Sequence, residues 1–171
     1  MLQYDEECAE VKKHLQQLFN NYVEDANEEE QRVLKDILEG LHRKKQESIS
    51  TYISELMQME LIEGKEDFEI KIPLTPLLNN TLGIVHGGFT ATLVDTTMGI
   101  FANTVLPDGY GAVTTSLNIH YLSAGVGDYL VCKAKMEHKG SKTMVLSSDV
   151  FRSDGKKIAQ ATGSFFVIKN K

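Results

Sequence analysis

The chain has 171 residues, which is enough for one domain with a full core and an appendage but too few for two ordinary domains. Apolar residues make up 42% and charged residues 25%, a globular balance, and no apolar run approaches the roughly 20 residues that span a bilayer. The segment Met1 to Glu7 has neither the basic start nor the apolar stretch of a secretory signal. We therefore expect a cytoplasmic protein with no membrane partner.

The net charge of −6 is concentrated near the start, where residues 1–50 hold 12 acidic and 7 basic side chains. An acidic surface repels nucleic-acid phosphates, so we expect no nucleic-acid partner. The two cysteines, Cys8 and Cys132, are too few for a disulfide framework or a zinc site, and the five histidines show no ligand spacing. We expect no metal and no separate cofactor.

Helical periodicity dominates the first 57 residues. One apolar stripe consists of Val11, Leu15, Leu18, Phe19 and Tyr22. Asn27 followed by Glu30 is typical of a capping box, and a second stripe runs from Val33 to Leu41. A third, shorter helix is predicted from Ile49 to Met57. We expect residues 1–48 to form a helical extension that packs on the core or on a partner subunit, and residues 49–171 to form the main domain.

The pattern changes after residue 57. Apolar and charged residues alternate from Phe68 to Ile72 and predict a strand, with Met59–Glu63 as its partner across a turn around Gly64. The segment Gly87–Val105 is apolar around most of a helical circumference, so we expect this helix to be buried on nearly all sides. Asp95 is its only charged residue.

Four further strands are predicted, at Ala112–Leu122, Tyr129–His138, Thr143–Arg152 and Lys157–Ile168. Because their links are short, these strands should form an antiparallel sheet. A long apolar helix and such a sheet bury each other's apolar surface if the sheet wraps the helix. The predicted class is α+β.

Polar and small residues mark the start of the long helix. Gly87 and Gly88 lack side chains there, so a ligand can approach backbone N–H groups that favour negative charge. Donors of this kind stabilise a carbonyl oxygen that gains charge during a reaction. Asn80 and His86 are neighbours that could position such a carbonyl.

Asp95 is a charge on an otherwise apolar helix, which is unfavourable unless the carboxylate is hydrogen-bonded or useful. A carboxylate at this place could activate water or attack a substrate directly. The hydroxyls of Thr96, Thr97 and Thr114 are candidates to orient it.

These residues together resemble a known family. Asn80, Gly83, His86-Gly87-Gly88 and Asp95, followed by the strand segment 113–123, are similar to the hotdog-fold acyl-CoA thioesterases of the phenylacetate-pathway type. The resemblance covers roughly Tyr52 to Ile168. It implies a hotdog fold, in which an antiparallel sheet wraps a central helix, and hydrolysis of an acyl-CoA whose coenzyme A is part of the substrate.

The resemblance also implies residue roles. The Gly87 N–H would polarise the thioester carbonyl, with Asn80 and His86 orienting the carbonyl or water. Asp95 would be general base or nucleophile, and Thr114 would assist the water. The substrate-binding candidates are Gly88 and Thr96 on the helix, with Lys139, Lys142, Arg152 and Lys156 at strand turns for the coenzyme A phosphates.

Helix geometry adds an expectation about assembly. Gly87 and Asp95 are eight residues apart, which is about 12 Å along a helix axis, so one thioester carbon cannot reach both. Two antiparallel copies of the helix related by a two-fold axis solve this, with the active site shared between subunits of a homodimer or homotetramer.

Three other functions remain open. A regulator that senses acyl-CoA through a hotdog domain and binds DNA through its helical extension is opposed by the acidic charge of that extension. A hotdog dehydratase would need an Asp and His pattern that the sequence lacks. A non-catalytic acyl-CoA-binding or scaffolding protein is separated from an enzyme only by an assay on a panel of acyl-CoAs.

Overall fold

The computed structural model describes residues 2–46, 50–62 and 68–170, with side chains from residue 7 onward. Its helices are α1 (Leu2–Asp25), α2 (Glu28–Gln46), α3 (Tyr52–Leu56) and α4 (Gly87–Thr104). Its strands are β1 (Glu60–Ile62), β2 (Phe68–Pro73), β3 (Tyr110–Tyr121), β4 (Tyr129–Lys139), β5 (Thr143–Arg152) and β6 (Lys157–Lys169). All the predicted helices and strands are present. The third helix is shorter than Ile49–Met57, and both Ile49 and the predicted turn at Gly64 lie outside the described residues.

The start of α2 follows from its first residues. The Asn27 side-chain oxygen accepts hydrogen bonds from the Glu29 and Glu30 N–H groups at 2.9 and 3.0 Å. The Glu30 carboxylate accepts from the Asn27 N–H at 2.8 Å, which completes the predicted capping box.

The two long N-terminal helices differ in how they relate to the core. On α2, a Cβ at Gly40 would lie 3.0 Å from the Glu55 carbonyl oxygen, and Arg43 donates to the Glu55 carboxylate at 3.0 Å. Because Glu55 belongs to α3, α2 is fixed to the main domain through that helix. The α1 side chains from residue 7 to residue 25 are exposed, so α1 does not pack on the core. None of the helices in the described ranges is both long and apolar enough to cross a membrane.

The six strands form one antiparallel sheet in the order β1-β2-β4-β5-β6-β3. Although β3 and β4 are joined by a short link, β3 pairs with β6 and lies at an edge. Strands β2 to β6 all contact α4, and the core includes Leu93 and Met98 of α4 with Leu146 and Phe165 of the sheet. The structure therefore confirms the α+β class and the hotdog arrangement of a sheet around a central helix.

The expected burial of α4 on nearly all sides is wrong for the single chain. Its buried residues, Thr90, Leu93, Val94, Thr97, Met98 and Ala102, lie on the side that faces the sheet. Gly88, Ile100 and Asn103 are exposed, and Asp95 and Thr96 are half-buried. The sheet wraps only one side of the helix, and that leaves the other side open.

Candidate active site

The start of α4 leaves one backbone donor unused. The His86 Nδ1 accepts a hydrogen bond from the Gly88 N–H at 2.9 Å, while the Phe89 and Thr90 N–H groups bond the His86 carbonyl at 3.0 and 3.3 Å. Among the hydrogen bonds of the described residues, the Gly87 N–H has no acceptor. It stands at the positive end of the helix dipole and can donate to a ligand oxygen that carries negative charge.

The roles of His86 and Gly88 are linked. A Cβ at position 88 would lie 3.0 Å from the His86 Nδ1 and would push the ring away, so glycine permits this cap. Because Nδ1 accepts a hydrogen bond, the neutral imidazole carries its proton on Nε2, an assignment that follows from the hydrogen-bond pattern. His86 therefore has one N–H donor left for a ligand or water.

Asn80 organises the loop that leads into the helix. Its side-chain oxygen accepts from the Leu82 N–H at 2.8 Å, and its own N–H donates to the Ile84 carbonyl at 2.8 Å. Gly83 completes the turn with φ of +70°, a left-handed conformation that favours glycine. Since the oxygen is used by the loop, the amide NH₂ of Asn80 is the group left to bind a ligand.

Tyr121 is a site residue that the sequence analysis did not single out. Its hydroxyl donates to the Gly87 carbonyl oxygen at 2.8 Å, and its ring lies 3.4 Å from the place of a Cβ at Gly87. Tyr121, Asn80, Gly87 and Thr90 help to line an open cleft of about 420 Å³. This cleft lies next to the unused Gly87 donor.

Asp95 lies further along α4 and does not line that cleft. Its carboxylate accepts a hydrogen bond from the hydroxyl of Thr114, one of the three threonines named as candidates to orient it, at 2.8 Å. Asp95 is half-buried on the open side of the helix and is not enclosed by apolar groups. The free-energy cost of holding this charge is therefore smaller in the single chain than it would be on a fully buried helix, which the sequence had predicted.

A β-bulge explains how Thr114 and Tyr121 both reach α4. The two residues are seven apart, so a regular strand would place them on opposite faces of the sheet. The register with β6 shifts between Thr114 and Ser116, and the additional residue reverses the alternation. Both side chains can then face the helix, one towards Asp95 and the other towards Gly87.

Two groups of candidates are thus assembled separately within one chain. Asn80, His86 and Gly87 surround the helix start, whereas Asp95 and Thr114 meet about 12 Å further along the axis, at the helical rise of ~1.5 Å per residue. The half-buried Thr96 is next to Asp95. A reaction that needs both groups at one carbon cannot occur within a single chain of this shape.

The four basic candidates lie at opposite ends of the sheet. Lys139 and Lys142 flank the turn before β5, and Arg152 and Lys156 flank the turn after it. Ten residues of strand β5 separate the turns by about 30 Å. Lys139 also donates to the Val105 carbonyl oxygen at 2.5 Å, at the end of α4 far from Gly87.

Arg152 contacts a residue that lines the cleft, Ala124, but its charge is already paired. Its guanidinium donates to both oxygens of the Asp154 carboxylate and to the Ala124 carbonyl oxygen at 3.5 Å. The hydrogen bond from Arg152, with help from the Lys156 N–H, lowers the pKa of Asp154 to about 2. Arg152 holds the loop at Ala124, which lines the cleft, so part of its role is structural.

No metal site competes with this arrangement in the part of the chain that the structure describes. Within the ranges 2–46, 50–62 and 68–170, no three His, Cys, Asp or Glu side chains are grouped as metal ligands.

Similarity to known proteins agrees with the geometry. Residues 82–159 match the model of the thioesterase superfamily. The BH2602 protein of Bacillus halodurans, solved with coenzyme A, is 45% identical with a TM-score of 0.82, over 86% of this chain and 98% of that one. Acyl-coenzyme A thioesterase 13 of Mus musculus is 37% identical over 83 residues, 47% of this chain and 59% of the mouse protein.

A more distant structure shares the fold. The E. coli PaaI protein from the phenylacetic acid degradation operon superposes with a TM-score of 0.65 at 21% identity, over 80% of this chain and 96% of that one. Together with the matched segment, which contains His86, Gly87, Asp95 and Thr114, these similarities identify the chain as a member of the hotdog-fold thioesterase superfamily.

Proposed function

We propose that this protein hydrolyses an acyl-CoA thioester to a free acid and coenzyme A. The observation that carries the proposal is the unused Gly87 N–H at the start of α4, beside an open cleft. The relatives add support, since one was solved with coenzyme A and another is named an acyl-CoA thioesterase.

In the proposed reaction, the Gly87 N–H donates to the thioester carbonyl oxygen and stabilises the charge that develops on it. The Asn80 amide and the His86 Nε2–H are two further donors that orient the carbonyl or the water. The addition forms a C–O bond, and collapse of the tetrahedral intermediate breaks the C–S bond and releases coenzyme A as its thiolate, which takes up a proton.

Asp95 acts on the other side of the carbonyl. As general base it removes a proton from the attacking water; as nucleophile it forms an anhydride that water then hydrolyses. Thr114 holds one carboxylate oxygen at 2.8 Å and leaves the second oxygen for this role. The half-buried Thr96 lies beside it and completes the acyl-facing side of the helix.

The proposed site is shared between two subunits. Gly87 and Asp95 of one chain are about 12 Å apart along the helix, so the second group must come from another copy. A suitable surface is present, because β3 is a 12-residue edge strand and the neighbouring side of α4 is open. An uncovered edge of this length is normally paired or protected.

We assign the coenzyme A phosphates to basic residues at the strand turns. Arg152 donates to the carbonyl oxygen of Ala124 in the cleft lining, and Lys156 belongs to the same turn as Arg152. Gly88 adds a backbone with no side chain to block the ligand. Lys139 and Lys142 lie about 30 Å away at the other end of β5, so they would serve a site only across a subunit interface.

A hydrolysis panel tests the proposal. Acetyl-, octanoyl-, palmitoyl- and phenylacetyl-CoA would be compared by the loss of thioester ultraviolet absorbance. For the best substrate, Asp95→Asn should lower kcat by at least ~10²-fold, the scale of a positioned acid–base group. Asp108→Asn, at an exposed position beyond α4, is the matched control and should retain full activity.

One result would contradict the enzymatic function, and another would contradict only the role of Asp95. If coenzyme A binds but no thioester in the panel is hydrolysed, the protein is an acyl-CoA-binding protein. If Asp95→Asn retains the parent rate, hydrolysis occurs without this carboxylate and the assignment of Asp95 is wrong.

A further inference from the structure

Helix α1 carries a regular apolar seam that the core does not cover. Its residues are Cys8, Val11, Leu15, Leu18 and Tyr22, with spacings that alternate between three and four residues. This is the a and d pattern of a two-stranded coiled coil, with Cys8, Leu15 and Tyr22 at a positions. Val11, Leu15, Leu18 and Tyr22 are 45 to 59% exposed.

A helix with this surface needs a partner. Helix propensity alone gives an isolated helix in water little stability. Most helical stability in proteins comes from the packing of an apolar face. Side chains 7–25 of α1 are exposed throughout. At the end of the seam the Tyr22 hydroxyl donates to the Glu30 carbonyl oxygen of α2 at 3.4 Å, but the apolar side chains of the seam are not covered by the described part of their own chain. Phe19 and Val23 widen the exposed apolar stripe.

Charges beside the seam indicate which partner fits. Glu7 and Lys12 occupy the g and e positions that flank it, and neither forms an ion pair with another described residue. In a parallel coiled coil, the g residue of one helix faces the e residue five positions later in the other, so Glu7 and Lys12 would pair twice across the axis. In an antiparallel pair, Glu7 at the start of one helix would instead lie near the end of the other, where Glu24 and Asp25 carry the same charge.

A membrane surface fits less well. Residues 7–25 hold Glu7, Glu10, Glu24 and Asp25 against Lys12 and Lys13, so the described part of α1 is net acidic. Amphipathic helices that bind anionic lipid carry Lys and Arg on the polar face instead.

We infer that α1 pairs with α1 of a second copy of this chain as a parallel, in-register, two-stranded coiled coil. The helical extension is then an oligomerisation element in its own right. Its pairing depends on the seam of α1 and not on the chemistry of the thioesterase site.

Cys8 provides a direct probe of this geometry. At an a position of a parallel pair, the two Cys8 residues face each other, with Cα atoms about 6 Å apart, a separation that a disulfide spans. Cys132 does not interfere, because it is fully buried and burial raises the pKa of its thiol to about 11. An oxidant such as diamide would take two electrons and two protons from the Cys8 pair and form one intermolecular disulfide.

The test uses the whole 171-residue chain at low micromolar concentration with diamide. Non-reducing electrophoresis and mass spectrometry should show most of the protein as a Cys8–Cys8 dimer, and Cys8→Ser should abolish it. Tyr22→Cys in the Cys8→Ser background, at another a position, should cross-link equally well. Lys13→Cys in that background, at the outer f position, is the matched control and should cross-link at least tenfold more slowly.

A variant of the α1 seam distinguishes a disulfide formed in a stable helix pair from one formed by random collision. Leu15→Glu with Leu18→Glu should lower the Cys8 cross-linking rate at least tenfold, while the thiol still reacts fully with a thiol reagent. If Lys13→Cys cross-links as fast as Cys8, or if the seam variant leaves the rate unchanged, the disulfide arises from random collision and the inference is wrong. If Cys8 and Tyr22→Cys both fail to cross-link, the parallel pair does not exist.

Discussion

Two variants that are each nearly inactive should restore activity when their subunits are mixed. Asp95→Ala removes the carboxylate, and Asn80→Ala removes the amide donor beside Gly87. In the shared site, Asn80 and Gly87 of one chain act with Asp95 of the other. A heterodimer of the two variants then has one site with both defects and one site with none.

The expected recovery follows from counting sites. Random pairing of equal amounts makes about half of the dimers mixed, and each mixed dimer has one intact site out of two. About a quarter of wild-type activity should therefore return. The separation of Gly87 and Asp95 along α4, about 12 Å, is the reason for expecting recovery, because a site within one chain would stay damaged in every combination.

The assay requires confirmed subunit exchange. The two variants would be unfolded together, refolded, and analysed by native mass spectrometry after one had been made with a heavy isotope. Thioester hydrolysis is then measured at saturating substrate, with the separately refolded variants as controls. A mixture that contains heterodimers but shows only the average of its parents would refute the shared site.

Two further predictions concern other parts of the chain. Tyr121→Phe removes the hydrogen bond to the Gly87 carbonyl, worth about 1 kcal/mol, and should lower kcat about fivefold with little change in KM, while the melting temperature falls by only about 2–4 °C; a fall in melting temperature with kcat unchanged would indicate a purely structural role. Deletion of residues 1–47 should leave a domain that melts cooperatively, though at a lower temperature because the contacts of Gly40 and Arg43 with Glu55 are lost. Loss of the near-ultraviolet circular dichroism would show that α2 belongs to the core.

Local signals in the sequence were sufficient for most of the fold. Asn27 and Glu30 define the start of α2 because a capping box acts within four residues. The order of the strands was not accessible in this way. The link between β3 and β4 is short, yet β3 pairs with β6, because strand order depends on how the sheet closes around α4.

The candidate site was predictable in composition but only partly in arrangement. Asn80, His86 and Gly87 stand close together in the sequence, so their neighbourhood at the helix start could be expected. Thr114, which contacts Asp95, was one of three candidate hydroxyls, and the sequence did not distinguish among them. Tyr121 was missed because its orientation depends on a bulge that reverses the strand alternation, and no residue pattern in β3 indicated that bulge.

The composition of α4 makes sense only when both of its sides are considered. Its sheet-facing side is buried, yet its open side carries Asp95 as the only charge in the helix, together with the exposed Ile100. A helix face that stays in water normally carries several charges. The β3 edge strand adjoins the same side, because Thr114 of β3 bonds Asp95. A second subunit related by one two-fold axis can therefore cover the strand edge and the open helix side together. We infer that the scarcity of charge along α4 and the uncovered edge of β3 have one cause, a second subunit that also supplies the missing half of the active site.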